Sequence, residues 1–246
     1  MKTIRKTDIL VPADCDFSKW SVVACDQFTS ERKYWKDLEN YVGDAPSTLK
    51  LVFPEVYLED ADKQERIDKI NRTMQEYVDD GVFKTLKDSF VLVKRTTASG
   101  VSRLGVVLAV DLEEYCFTHP SHANIRSTEG VVLDRIPPRL KIRENAPVEL
   151  PHIMLLIDDR KKSVIERLWQ ERDENEKIYD FDLNMGGGHL LGYRVDAQKV
   201  IDLFDEYERS VQNLYGTGNN DFIFAVGDGN HSLATAQAHW NRTKEG

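Results

Sequence analysis

The stretch that most constrains the fold runs over residues 222–240: Phe222-Ile223-Phe224-Ala225-Val226-Gly227-Asp228-Gly229-Asn230-His231-Ser232, then Leu233-Ala234-Thr235-Ala236-Gln237-Ala238-His239-Trp240. The apolar run 222–226 predicts a short buried strand. Gly227 and Gly229 bracket Asp228 and impose a tight turn, because glycine adopts backbone angles other residues resist. The alanine-rich run beyond favours a helix, predicted to start near Ser232. A strand that turns directly into a helix is a building unit of a sheet covered by helices. The expected fold class is therefore α/β with an α+β mixture: a mixed β-sheet with flanking helices.

The turn also concentrates chemistry. A helix start leaves backbone N–H groups without intrahelical partners, and with the macrodipole these favour an anion such as phosphate. Gly229 lets backbone approach a ligand closely. Asn230 and Ser232 can donate hydrogen bonds, and His231 can donate to a phosphate or shuttle a proton. Ionised Asp228 only accepts, so it suits a metal or a substrate hydroxyl. The plain structural alternative is a well-capped strand-to-helix turn, since Asp, Asn and Ser are common caps. That alternative accounts for Asp228 or Ser232 but leaves His231 unexplained.

Elsewhere the patterning is ordinary. Ile9-Leu10-Val11-Pro12 and Val22-Val23-Ala24-Cys25 read as short strands, the second closing at Asp26. Ser30 is the expected N-cap of a helix whose packed face carries Tyr34, Leu38 and Tyr41. Residues 60–80 show the clearest helical period, with Ile67, Ile70, Met74, Tyr77 and Val78 on one stripe, Asp60 as cap and Gly81 as terminator. Two apolar runs around Ala98-Ser99-Gly100 predict a β-hairpin with Arg95 and Arg103 near its turn, solvated rather than liganding. Ile153-Met154-Leu155-Leu156-Ile157 reads as a central strand buried on both faces, ending at Asp158-Asp159. A helix over 163–172 should turn Val164, Ile165, Leu168 and Trp169 inward. Gly186-Gly187-Gly188 is a turn before a strand at 190–195, and it lacks the residues of a nucleotide-binding loop. Asp196 caps a helix with Val200, Leu203, Phe204, Tyr207, Val211 and Leu214 inward, ending at Gly216, and Gly218-Asn219-Asn220 turns into the opening strand.

Residues 117–143 break this regularity. They hold His119, His122, Arg126, Arg135, Arg139, Lys141 and Arg143 beside Glu129 and Asp134. Either this is an exposed loop laced with ion pairs, or its arginines form a phosphate or carboxylate pocket, their planar forks matching those anions. Pro120 between the two histidines opposes a helical metal pair.

The chain has 246 residues and a formal charge of −9, which opposes general affinity for nucleic acid or anionic membrane. Its three cysteines form no CxxC pair, so a reduced, cytoplasmic protein without a zinc site is expected. The apolar run near the N-terminus, Ile9 to Val11, is too short for a signal core or a membrane span.

The turn Asp228-Gly229-Asn230-His231-Ser232 resembles the Asp-Gly-His-His-Arg signature of a bacterial and archaeal family called domain of unknown function 1015. That family is similar in turn to the ParB/sulfiredoxin-like fold, whose Gly-x-His-Arg turn binds nucleotide phosphates. Further segments resemble family elements: Val23-Ala24-Cys25-Asp26, Ile125-Arg126, Arg139-Leu140-Lys141-Ile142-Arg143, Ile153-Met154-Leu155-Leu156 and Gly192-Tyr193-Arg194-Val195-Asp196. Asn230 stands where the family has its first His, Ser232 where it has Arg, and Glu129 lies one place beyond the family's Arg-His-Glu spacing. The resemblance implies one mixed α/β domain, the N-terminal part of a longer protein. It also implies phosphotransfer from ATP or another nucleotide, with Mg²⁺, to a small-molecule hydroxyl. Asp228, His231 and Glu129 would be catalytic: Asp228 would bind Mg²⁺, or Glu129 would act as base. Gly229, Asn230, Ser232, Arg126 and Arg139 would hold phosphate, the two arginines supplying the charge that Ser232 lacks. The alternative is a regulatory module that binds a nucleotide or phosphorylated metabolite without turnover. A DNA-binding partition-type role is disfavoured by charge and by the lack of a readable helix-turn-helix.

Overall fold

The computed structural model describes residues 3–118, 122–150, 152–215 and 222–244, with the backbone alone for 212–215. His119, Pro120, the helix end at Gly216, the turn at 218–220 and the side chain of Leu214 lie outside the described residues. In chain order the strands are β1 (Ile4–Arg5), β2 (Ile9–Pro12), β3 (Phe83–Leu86), β4 (Ser89–Thr96), β5 (Ser102–Val107), β6 (Ala109–Val110), β7 (Tyr115–Cys116), β8 (Ile125–Ser127), β9 (Met154–Leu156), β10 (Lys177–Leu183), β11 (Gly188–Asp196) and β12 (Phe224–Asp228). The helices are α1 (Phe17–Trp20), α2 (Arg32–Val42), α3 (Lys63–Asp79), α4 (Ile136–Arg143), α5 (Ile165–Gln170), α6 (Ala197–Tyr215) and α7 (Asn230–Thr243). The fold is mixed α+β.

Two four-stranded sheets carry it. One is antiparallel in the order β10-β11-β4-β5, built from the predicted hairpin and the strand after the glycine run. Its turn sets Arg95 directly opposite Arg103. The other is mixed, in the order β7-β8-β12-β9, with β12 parallel to β8 and antiparallel to β9. Helix α6 packs on the first sheet as its period requires: Val200, Leu203, Phe204, Tyr207 and Val211 are buried, and Asp196 Oδ1 accepts the Lys199 N–H at 2.9 Å.

A second apolar cluster forms around α2 and α3. Helix α3 buries Ile67, Ile70 and Met74. Gly81 ends it with φ +70°, its N–H reaching the Val78 carbonyl while Val82 N–H reaches that of Tyr77. Val78 is exposed, and Asp60 lies before the helix, paired with Arg32. In α2 the buried face is Trp35, Leu38 and Val42. Tyr41 is exposed, because a stripe at i, i+3 and i+7 starting from Trp35 outcompetes the amphipathic tyrosines. The N-cap position is Glu31, not Ser30, with no side-chain capping bond.

Two strand expectations fail. Residues 22–25 form no strand, and Cys25 already lies in a turn. The run 153–157 forms only the short edge strand β9, with Met154 and Leu156 exposed. A short apolar run has the same composition at an edge as in a centre, and here β12 takes the central place. Asp158 and Asp159 follow it, and Asp159 accepts from Ser163 Oγ and the Val164 N–H at the start of α5.

The basic segment is not a loop throughout. It contains β8 and the helix α4, whose two prolines fall in the first turn, where a missing N–H costs nothing. Eight residues are too few for a helix stable by itself, so packing must hold it. Ile136 and Leu140 are buried in the cluster shared by the sheets, while Ile142 packs against the α2/α3 cluster. Helix α4 also lies along α7. It is the wedge between the two cores, and the candidate site opens beside it.

Candidate functional site

β12 ends at Asp228, and the chain reverses at Gly229 with φ +81° and ψ 29°. A Cβ here would sit 3.2 Å from Ile153 Cα and 3.1 Å from its Cγ1, so both angle and space select glycine. Helix α7 therefore starts at Asn230, two residues earlier than its composition suggests. No side chain caps it. Asp228 Oδ1 instead accepts the N–H of Gly229 at 2.8 Å. Capping thus explains neither Asp228 nor Ser232, since among the described residues no side-chain capping bond is made to the first turn of α7.

Asn230 turns inward. It is 4% exposed, and its Oδ1 accepts from Ser127 Oγ at 2.7 Å and from Thr128 N–H at 3.3 Å. It ties the end of β8 to the start of α7, and its oxygen is spent on the protein. Tyr115 Oη donates to its carbonyl from the same side at 3.4 Å.

His231 faces the segment before α4. Its Nε2 accepts the Val132 N–H at 3.1 Å, which assigns the ring hydrogen of the neutral imidazole to Nδ1. Nδ1 lies 3.9 Å from Glu129 Oε1. Burial holds the imidazole below its ordinary pKa, and the charges of Arg135 and Arg139 lower it further against the opposing pull of Glu129 and Glu55. His231 is thus kept neutral, able to donate from Nδ1 or to accept a proton transiently.

Ser232 Oγ and His152 Nε2 share a 2.8 Å hydrogen bond, and Asp26 Oδ2 lies 3.8 Å from the same nitrogen. Arg139 is ion-paired with Glu55, and its Nη1 donates to the Arg135 carbonyl at 3.0 Å. Cys25 lies by this group, its thiol pushed up to about 12 by burial and by the carboxylates of Asp26 and Glu55.

The structure thus brings together Asp228, Gly229, His231, Ser232, Glu129 and Arg139. It does not bring Arg126 to them. Arg126 pairs in register with Ala225, and its side chain leaves the sheet on the face opposite Ser127. There Nε donates to the Ala123 carbonyl at 2.9 Å, and the guanidinium lies 4.9 Å from the centre of the Phe222 ring, at the far end of β12 from the turn. Sequence reading passed over His152, Asp26 and Glu55 as site residues. The nearest signal for Asp26 was its place at the end of a family-like segment. His152 sits before an apolar run in no motif, and its link to Ser232 spans 80 residues.

Among the described residues no group of three or more His, Cys, Asp or Glu could hold a metal by itself. Among them too, no helix is long and apolar enough to cross a membrane. No curated protein and no solved structure matches the chain. The model of one family, described as Protein of unknown function (DUF1015), matches residues 10–246, and the chain belongs to that family.

Proposed function

We propose that the protein is a phosphate-dependent enzyme. It holds the phosphate of a nucleotide or phosphorylated small molecule at the first turn of α7, and passes it to a small-molecule hydroxyl. The observation that carries this reading is the start of α7, uncapped by any side chain and reached through the left-handed Gly229. Such a terminus attracts an anion by about 0.3–1 kcal/mol when exposed and about 2 kcal/mol when partly buried. That is at most about thirtyfold in affinity, so neighbouring charge must add to it. Arg135 and Arg139 add positive charge beside it, and after burial they are the next causes of the lowered pKa of His231. A strand, a left-handed glycine and an uncapped helix also suit the ParB-like phosphate turn that the sequence resembles.

The exposed carboxylate of Asp228 fits a Mg²⁺ brought by the nucleotide, since Mg²⁺ keeps most of its waters and takes one or two carboxylates besides substrate phosphates. Glu129, beside His231 and largely exposed, is placed to accept a proton from an acceptor hydroxyl. The ion pair of Arg139 with Glu55 favours a second reading, a binding module without turnover, because that guanidinium is already engaged. Cysteines that form no disulfide with one another suit a reducing cytoplasm.

Thermal-shift measurements with ATP, ADP and CTP, with and without Mg²⁺, test this. A ligand at a hundred times its Kd stabilises by about 2.7 kcal/mol, roughly 5–10 °C for a chain of this size. The expected rise disappears in His231→Ala. Transfer to added small alcohols identifies the enzyme, and a rise without transfer identifies the binding module. No rise with any of these ligands refutes both.

A further inference from the structure

The hydroxyl of Ser232 and the imidazole of His152 form a unit that the phosphate reading does not use. Ser232 lies in the first turn of α7, where side chains lean back toward the helix start and its N–H groups. Its Oγ is 2.8 Å from His152 Nε2, within reach for proton transfer. Asp26 Oδ2 stands 3.8 Å from that same nitrogen, too far for a hydrogen bond and close enough to attract an imidazolium. Three distant parts of the chain meet here: the loop before α2, the segment before β9 and the start of α7. His152 and Asp26 are each roughly a quarter exposed at the side chain, so the group opens to solvent and to a ligand.

We propose that Ser232 is a nucleophile, that His152 is its general base, and that the pair attacks the phosphorus of a phosphate ester or anhydride bound at the start of α7. As Oγ approaches, the Oγ–P bond forms and the bond from phosphorus to the leaving oxygen breaks, its electron pair staying on that oxygen. The Oγ proton moves to His152 Nε2 and is then delivered to the leaving oxygen. The products are phosphoserine at position 232 and the released alcohol or nucleotide, and the acceptor hydroxyl regenerates the serine by the reverse geometry. Asp26 is a positioning residue: its carboxylate stabilises the imidazolium while His152 holds the proton. The N–H groups at the start of α7 lie where the phosphoryl oxygens gain charge. The phosphorus electrophile rests on the function proposed above, whereas the activated hydroxyl does not.

A fluorophosphonate probe tests the pair on the full chain, because attack by an activated serine displaces fluoride and leaves a covalent adduct. Intact mass and peptide mapping should show one adduct, on Ser232, and none in Ser232→Ala. Removing a general base costs on the order of a hundredfold or more in rate, so labelling should fall by that factor in His152→Ala. The same fall is expected in His152→Gln, which keeps a hydrogen-bond partner for Oγ without a base, and serves if the alanine variant does not fold. In Asp26→Asn the labelling rate should fall less, and its pH profile should shift to lower pH, because an imidazolium without its counter-charge gives up its proton more readily. A folded wild-type protein left unlabelled at Ser232, or labelled equally in His152→Gln, overturns the inference. Nucleotide binding without labelling overturns the nucleophile and leaves the phosphate site standing. Labelling without any nucleotide-induced thermal shift supports the nucleophile and removes the phosphate site.

Discussion

Gly229→Ala probes the pivot on which the whole turn depends. At φ +81° an alanine must occupy the left-handed region, which costs an L-residue about 1–2 kcal/mol. Its Cβ would also press on the Cα of Ile153 at 3.2 Å, so backbone and not merely a side chain has to yield. Overpacking of this kind costs about 1–3 kcal/mol, giving a total of roughly 2–5 kcal/mol. For a chain of this length each kcal/mol lowers Tm by about 2–4 °C, so a fall of roughly 4–20 °C is expected. Gly130 supplies the control: it has no atom within 4 Å of a built Cβ and no left-handed angle, so Gly130→Ala should be neutral or slightly stabilising. Urea and thermal unfolding of the two variants side by side give the comparison. Because Ile153 follows His152 directly, displacement there should also weaken Ser232–His152 contact and phosphate binding. Equal stability of the two variants would refute the claim that glycine is required at 229 by angle and space.

Two further outcomes follow from the electrostatics of the site. The pKa of His231 is lowered in the folded state, so the unfolded chain takes up the proton first; stability is full above about pH 6.5 and declines as pH falls through the folded-state value. His231→Gln, whose amide oxygen can still accept the Val132 N–H, should flatten that decline in Tm measured from neutral to mildly acidic pH, and an unchanged slope would show that another group drives it. Cys25, raised to about 12, should react with iodoacetamide at mildly alkaline pH far more slowly in the native protein than in urea, as peptide mapping would read; equal rates would contradict the raised thiol pKa.

Local signals carried much of this fold. The α3 stripe of Ile67, Ile70 and Met74, the capped apolar face of α6 and the hairpin of β4 and β5 are each settled by contacts close in sequence, so periodicity and turn chemistry reveal them. The errors fall where tertiary context decides. Nothing in the run 153–157 says that β12, and not β9, takes the sheet centre. Residues 22–25 have strand-forming side chains and no partner strand within the described residues. The prolines of α4 fall in its first turn, which tolerates them. In the site, His231 and Ser232 were legible because one turn holds them. The partners that define their chemistry were not: His152 reaches Ser232 across 80 residues, and Glu55 reaches Arg139 across 84. Asn230 illustrates the opposite case, a polar turn residue whose hydrogen bonds serve the fold.

The wedge position of α4 bears on how the site can behave. A helix gripped on one side through Ile136 and Leu140 and on another through Ile142 cannot slide or swing without disturbing two cores at once. Arg139 rides on that helix and is braced again by Glu55. Its guanidinium is therefore a fixture of the scaffold, its position set before any ligand arrives although Glu55 offsets part of its charge. A guanidinium on a mobile loop would have to be recruited, with an ordering cost at each binding event. Here the anion meets a field that is already standing, so selectivity is set by which shapes fit under it.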